Sequence, residues 1–524
     1  MSVDAPVVAH GLPPAPGGPG GRGGPGGPGS VILPSVAIAA SPQLRQTLGL
    51  SMPAGRGSAT AADIGVAIID SGIAPLNDFG DRIRAFYDFT SGTPVATAPY
   101  DDFGHGTHVA GLIGAGGQGS GNQFQGVAPN VGLIGLKVLD ANGQGNTSDV
   151  IAALEFVTQY RGTLGAQVVN LSLGHPIFEP AATDPLVQAV EAAVRSGLVV
   201  VVAAGNNGWN ATTQQSGYAG INSPGNAPSA ITVGAVDTQN TATRDDDVVA
   251  PYSSRGPTWF DAYAKPDVVA PGHHLISDSA TNTTLFKNLS ASERQASNGM
   301  PMLSLSGTSM STAVVSGIAA LVLEANGNAI NWKVATPPNL VKAILEYTSI
   351  PLVGVDALTQ GAGEVNAAGA VTLASAIDPS VKVGQSWLLT GITPSSTLGK
   401  QGYSWGQQVV WGDTIVGGDV MYSNNIVWGT SDDNIVWGTD DDNIVWGTNA
   451  VWESNIVWGT NIVWGTNIVW GTNIVWGTSD DNIVWGTDDD NIVWGTSTDA
   501  ILEAMPTGTP SAAPLSWPSN APPR

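Results

Sequence analysis

Three short islands, each placed where one kind of secondary structure should end or begin, constrain this chain more than any other feature. Ile68-Ile69-Asp70-Ser71-Gly72 closes the apolar run Ile64 to Ile69, which reads as a buried strand whose tip enters a Gly-rich turn. The Asp70 carboxylate then stands at the carboxyl end of a strand, where open α/β sheets place their sites. His105-Gly106-Thr107-His108-Val109-Ala110-Gly111 opens a stretch of small apolar residues suited to a helix packed tightly on a sheet, with the His105 imidazole at the helix start. Gly307-Thr308-Ser309-Met310 leads into Met310 to Ala325, a run rich in Ala, Val, Leu and Ile with no proline. Ser309 therefore falls at a helix N-terminus, where the dipole and free backbone N–H groups favour developing negative charge.

Each island also has a plainer reading. An aspartate in a Gly-rich turn commonly bonds its own backbone, and a serine before an apolar run is commonly an N-cap, a role compatible with a nucleophile. His105 and His108, three apart, invite a reading as metal ligands on one helix face. Against it, the usual zinc signature needs a glutamate beside the first histidine and a second histidine four residues on, and neither is present. With no cysteine in the chain there is no thiolate ligand, disulfide or thiol chemistry, and His108 reads as a buried supporting residue.

Together the islands resemble those of the subtilisin-like (subtilase, S8-type) serine peptidases, and the order Asp, His, Ser along the chain is the subtilisin order. Ala203-Ala204-Gly205-Asn206 resembles the family's oxyanion-hole segment. Asn170-Leu171-Ser172-Leu173-Gly174 is similar to the strand that pairs with substrate and walls its main specificity pocket. Ser223 to Asp237, Ser253-Ser254-Arg255-Gly256-Pro257 and Lys265 to Gly272 also look like family segments, and the likeness runs over about 46–375. It implies a three-layer α/β domain around a mostly parallel sheet and a serine endopeptidase working through an acyl-enzyme. Asp70, His105 and Ser309 are then catalytic, with His105 as general base and Asn206 as side-chain donor to the oxyanion. Ser172, Leu173, Gly174, Ala204 and Gly205 line the substrate, which is protein or peptide. Two positions depart from the pattern: Ala313 stands where the family usually has proline, and His175 where it often has a second glycine, adding a titratable ring near the cleft. No catalytic metal is implied; a structural calcium stays open.

A chain of 524 residues exceeds one ordinary domain. The expected division is a Gly/Pro-rich linker over 1–45, the peptidase over 46–380, a linker over 381–420, a repeat array over 421–497 and a Pro-rich tail over 498–524. Sixteen of the twenty residues from Gly11 to Ser30 are Gly or Pro, too few in regular triplets for collagen. No basic stretch followed by an apolar one opens the chain, so no standard secretory signal is visible; a secreted or cell-surface place is implied only by the family. No apolar run reaches the roughly 20 residues that span a bilayer. The net charge of −24 disfavours nucleic acid, acidic substrates and anionic membranes as partners.

From Asn425 the unit Asn-Ile-Val-Trp-Gly-Thr recurs, with tryptophans at 428, 437, 446, 452, 458, 464, 470, 476, 485 and 494. A period of six keeps no face on a helix of 3.6 residues per turn, and Ile, Val, Trp and Thr favour strands, so the array is expected to be β-rich. Stacked β-solenoid rungs, short hairpins and a disordered tandem array all fit that spacing. Four insertions carry Ser-Asp-Asp or Asp-Asp-Asp before the asparagine, at 431–434, 440–443, 479–482 and 488–491. Such carboxylates suit calcium, but no glycine-positioned calcium loop accompanies them, and charged gatekeepers against aggregation are the favoured reading. Fifteen of the 42 acidic residues lie between Lys400 and Arg524, with no basic residue between those two, marking a separately behaving module. Exposed tryptophans there would suit surface or polymer binding, whereas tryptophans in a repeat usually form its own core.

Overall fold

The structure, a computed structural model, describes residues 4–9, 44–50, 61–210, 214–289, 294–297, 300–381 and 386–409, together with the strands between 415 and 495. The chain divides into two compact units, 1–429 and 430–524.

The first unit is built on a nine-stranded, mostly parallel sheet. Gly65–Asp70 lies inside it, parallel to Gly132–Lys137 on one side and to Val168–Leu171 on the other. Val199–Ala203, Ile231–Asp237 and Val268–Pro271 extend it in parallel beyond Val168–Leu171, and Ile83–Asp88 extends it beyond Gly132–Lys137. Only the two-residue strands Val95–Ala96 and Val248–Val249 pair antiparallel. The inner strands are unbroken runs of Val, Ile, Leu, Ala and Gly because both of their faces are covered; every residue of Gly65–Asp70 and Gly132–Lys137 is buried. His105–Gly114, Thr308–Ala329, Pro338–Thr348 and Ala367–Ala374 share one apolar core with one face. Thr147–Leu164 and Pro185–Arg195 cover the other. This is the three-layer α/β arrangement.

Thr308–Ala329, the helix that carries Ser309, is the one described helix long and apolar enough to cross a membrane, and it is a buried core helix. No uninterrupted apolar run reaches that length, since Ser311, Thr312, Ser316 and Gly317 interrupt this one, and the helix qualifies only by its mean hydropathy.

A second, four-stranded sheet runs Asn222–Ser223, Leu173–Pro176, Pro6–Ala9, Gln144–Asn146. The span 1–45 expected to be linker is thus packed at its beginning: Ala5 and Val7 are buried. Gly11 to Ser30 lies outside the described residues.

The span 381–420 expected to be linker differs too. Ser395–Leu398 and Gln401–Ser404 form a hairpin whose turn, Gly399-Lys400, has φ of 53° and 77°. Positive φ at both central residues is what a type I′ connection requires. Leu398 and Trp405 are buried, Trp405 sits edge-on to Tyr347 at 6.4 Å, and its indole N–H donates to Ser396 Oγ at 2.9 Å. Asn366 Nδ2 donates to the same hydroxyl. Trp405→Ala is therefore expected to lower stability by about 3–5 kcal/mol, the cost of emptying a large aromatic site. The urea midpoint of the first unfolding transition measures it; an unchanged midpoint is what a linker residue would give.

In the second unit, Asn443–Trp446, Asn455–Trp458, Asn467–Trp470 and Ile483–Trp485 pair in parallel, and Ala450–Trp452, Asn461–Trp464, Asn473–Gly477 and Ile492–Gly495 form a second parallel set. Each strand pairs with the second one after it, tryptophan opposite tryptophan. The three-residue insertions leave this register intact, since Trp470 still faces Trp485 and Trp476 faces Trp494. The Asp-rich residues of the insertions and the Pro-rich tail lie outside the described residues.

Candidate active site

Asp70 ends its strand fully buried, and His105 begins its helix fully buried. His105 Nδ1 lies 2.8 Å and 2.9 Å from the two Asp70 carboxylate oxygens, an N–H donating to a carboxylate. The Ser71 backbone N–H also donates to Asp70 Oδ1 at 2.7 Å. Gly106 permits this closeness: a Cβ there would meet the Gly72 carbonyl oxygen at 2.1 Å and the Asp70 Cβ at 3.2 Å. The glycine beside the histidine is therefore demanded by the backbone of the aspartate turn.

Sequence reasoning missed Asp101, which organises this corner. Gly104, the cap position of the histidine helix, has φ of 105° and no side chain to cap with. Asp101 substitutes, accepting from Gly104 N at 2.7 Å and from Thr107 N and Oγ1 at 2.9 Å and 2.6 Å. It also accepts from Ser71 Oγ at 3.0 Å, while Ser71 Oγ accepts from Gly106 N at 2.9 Å. Burial pushes the Asp101 carboxyl up, and these hydrogen bonds pull against that. An aspartate four residues before the histidine, with glycine at the cap position, was the available signal.

His108 is buried one turn on, its Nε2 3.1 Å from both the Leu275 and Leu303 carbonyl oxygens. Burial, with His105 nearby, lowers its pKa to about 3. It is a neutral structural histidine tying the helix to two strands, in keeping with the supporting role read for it. Among the described residues no group of three or more His, Asp or Glu is placed to hold a metal ion.

Ser309 is the second residue of its helix, where backbone N–H groups have no intrahelical acceptor, and this helix packs directly on the histidine helix. Its hydroxyl donates to the Ser172 carbonyl at 2.9 Å, and the Ser172 hydroxyl donates back to the Ser309 carbonyl at 3.0 Å. Asn170 Nδ2 donates to Ser172 Oγ at 2.9 Å, and Asn170 Oδ1 in turn accepts from Ser316 Oγ at 3.0 Å, so the serine helix and the Ser172 segment are locked together. The structure thus joins Asp70 to His105 and Ser309 to Ser172. His105 Nε2 is buried without a hydrogen-bond partner among the described residues, and the Ser309 hydroxyl is bonded to the Ser172 carbonyl rather than to it.

Ala204 and Gly205 follow the strand Val199–Ala203. Gly205, with φ of 104°, donates its N–H to Thr308 Oγ1 at 3.2 Å. Asn206 Oδ1 accepts from Thr308 N at 3.0 Å and Thr308 Oγ1 at 3.1 Å, which assigns Nδ2 as the donor end of its amide. Thr308, not singled out in the sequence, is the clasp between the asparagine and the serine helix. Leu173 and Gly174 are buried in the short strand Leu173–Pro176. His175, in the same strand, stacks on Phe178 at 5.4 Å between ring centroids and keeps Nδ1 2.7 Å from the Pro176 carbonyl. The extra ring is folded onto a neighbour.

Residues 61–372 match the profile of the subtilase family. The chain is 40% identical over 317 residues to the serine protease AprX of Bacillus subtilis (strain 168), covering 60% of this chain and 67% of AprX. It is 36% identical over 262 residues to subtilisin DY of Bacillus licheniformis, covering 50% of this chain and 77% of that one. Among solved structures, fervidolysin from Fervidobacterium pennivorans, a keratinolytic enzyme related to subtilisin, matches with a TM-score of 0.50 at 25% identity, over 62% of this chain and 45% of fervidolysin.

Proposed function

The chain belongs to the subtilase family and is a subtilisin-like serine protease, and from that premise we propose that Asp70, His105 and Ser309 hydrolyse peptide bonds through an acyl-enzyme on Ser309. The observation that carries this reading is the buried pairing of His105 Nδ1 with both Asp70 oxygens on a helix packed against the one that presents Ser309.

A neutral hydroxyl is a weak nucleophile, so His105 Nε2 takes the Ser309 proton as the oxygen attacks the scissile carbonyl. Asp70 keeps the proton of His105 on Nδ1 and stabilises the imidazolium. The charge on the former carbonyl oxygen falls to the Ser309 N–H, aided by the helix dipole, and to Asn206 Nδ2. His105 then protonates the leaving amine, the bond breaks, and water, activated by the same imidazole, releases the acyl group.

Asn206→Ala is the discriminating test. It is expected to lower kcat about 10²–10³-fold, the effect typical of losing one oxyanion donor, with KM nearly unchanged because that bond forms only in the transition state. A rise in KM with kcat unaltered would instead make Asn206 a ground-state contact and remove it from the oxyanion site.

For the second unit the reading is a β-solenoid of two six-residue rungs per turn. Parallel pairing of each strand with the second strand after it supports stacked rungs over hairpins, which would pair antiparallel with the next strand.

A further inference from the structure

His273 stands between two peptide groups that both hold the approach to Ser309. The Gly272 carbonyl, in the peptide bond before it, accepts from Gly307 N at 2.9 Å and from Tyr252 Oη at 3.0 Å. The His274 N–H, in the peptide bond after it, donates to Ser306 Oγ at 2.9 Å. Gly272 is also pressed against the serine helix: a Cβ there would meet Ser311 Oγ at 2.1 Å and the Gly307 carbonyl oxygen at 3.0 Å. His274 adopts φ of 52°, in the left-handed region where histidine is among the better tolerated residues, and its bond to Ser306 holds it there. A turn of the backbone at His273 therefore displaces Ser306 and Gly307, which lead into the helix carrying Ser309.

The His273 imidazole is half-buried and packed on three sides. The Tyr252 ring lies 5.9 Å away between centroids, the exposed His274 ring lies 4.2 Å away and edge-on at 61°, and Asp237 Oδ2 lies 3.7 Å from His273 Nε2. These three are the titratable groups that face it among the described residues. Asp237 ends the strand Ile231–Asp237, whose Val236 carbonyl accepts from Gly272 N at 3.0 Å, and Tyr252 is buried with Ala235 and Ala250. His273 Nδ1 is buried with no hydrogen-bond partner among the described residues. A neutral imidazole carries its one proton on Nε2 and leaves Nδ1 bare. An imidazolium carries N–H groups on both nitrogens, so Nδ1–H would lack an acceptor and Nε2–H would stand too far from Asp237 to bond. Charging the ring thus obliges it to move, and Asp237 draws it. Burial and the neighbouring His274 hold the His273 imidazole below the usual histidine range, against the pull of Asp237.

We propose that His273 is a positioning residue for Ser309: its uncharged imidazole, seated among Tyr252, His274 and Asp237, fixes the two peptide groups that hold Ser306 and Gly307, and proton uptake releases them. The part played by Ser309 rests on the peptidase reading above. The protease then responds to acid through a second proton, taken up away from His105.

The test is the pH dependence of kcat on a peptide substrate between about pH 5 and 8, for the full chain and its His273→Phe, His274→Asn and Asp237→Asn variants. On the acid side log kcat is expected to fall with a slope of about two in the parent, one proton on His105 and one on His273. In His273→Phe, which keeps a ring but takes no proton, the slope is expected to be about one. His274→Asn retains the N–H that Ser306 accepts and a residue type that tolerates positive φ, and it removes a charge that opposes protonation, so the second step moves to higher pH. Asp237→Asn moves it to lower pH. A slope of one in the parent, or shifts of the same sign in these two variants, overturns the proposal, and the opposed pair decides even where His273→Phe fails to fold. Hydrogen exchange of the segment 303–309 in the full Ser309→Ala chain, corrected for the intrinsic pH dependence, reads the same event without catalysis. Protection at Gly307 is expected to fall about tenfold on acidification and to stay constant once His273→Phe is added. Loss of protection without hydrolysis by the parent at any pH would sink the peptidase reading and leave the positioning role standing; hydrolysis with constant protection would do the reverse.

Discussion

Ser309→Ala is expected to cut kcat by about six orders of magnitude, a scale established for subtilisin itself and not obtained from this geometry. The reason is that proton acceptance by His105, its orientation by Asp70 and the attack on the carbonyl act as one unit, so deleting the attacking atom forfeits all three. What remains is water attack in a site that still stabilises the oxyanion, worth roughly 10³–10⁴ over solution. Fold should survive. The lost hydroxyl donates only to the Ser172 carbonyl among the described contacts, and an orphaned buried acceptor costs about 1–3 kcal/mol. Hydrolysis of a peptide substrate by protein with an unchanged far-ultraviolet spectrum is the measurement. A loss of less than a hundredfold would place the nucleophile elsewhere.

The second large effect is at Asp70. Asp70→Asn keeps the shape but puts an N–H₂ where an acceptor stood, either opposing the His105 Nδ1–H or driving the imidazole to carry its proton on Nε2, the nitrogen that must accept. About a 10⁴-fold loss in kcat with little change in KM is expected, the magnitude that the same substitution brings in a serine-protease triad. The asparagine must also place its oxygen toward the Ser71 N–H, now 2.7 Å from Oδ1, which leaves the amide nitrogen to face the ring. A variant within tenfold of the parent would reduce Asp70 to a turn residue.

Much of this site was legible because its chemistry asks for particular residues at the ends of particular elements. An aspartate closing an apolar strand, a histidine followed by glycine and small residues, and a serine opening a long apolar helix can each be read locally. The contacts that were not legible join residues far apart in the chain. Asp4 meets Ser148, Trp405 meets Tyr347 and Ser396, and Thr308 meets Asn206, and composition cannot report such pairings. The Gly/Pro density from Gly11 onward coloured the reading of the six residues before it, though Val7 and Val8 alternate inward and outward as any half-buried strand does. The hairpin at 395–404 was hidden by its Ser, Thr and Gly, and only the Gly399-Lys400 turn marks it. Nor does sequence report a rotamer, and Ser309 bonded to the Ser172 carbonyl is a fact of packing.

The most direct measurement is reaction of a fluorophosphonate probe with the purified full chain, followed by mass mapping of the modified residue. The account predicts one tag, on Ser309, abolished by Asp70→Asn or by unfolding. A folded protein that takes no tag, or takes it on another residue, would contradict the assignment of Ser309 as nucleophile.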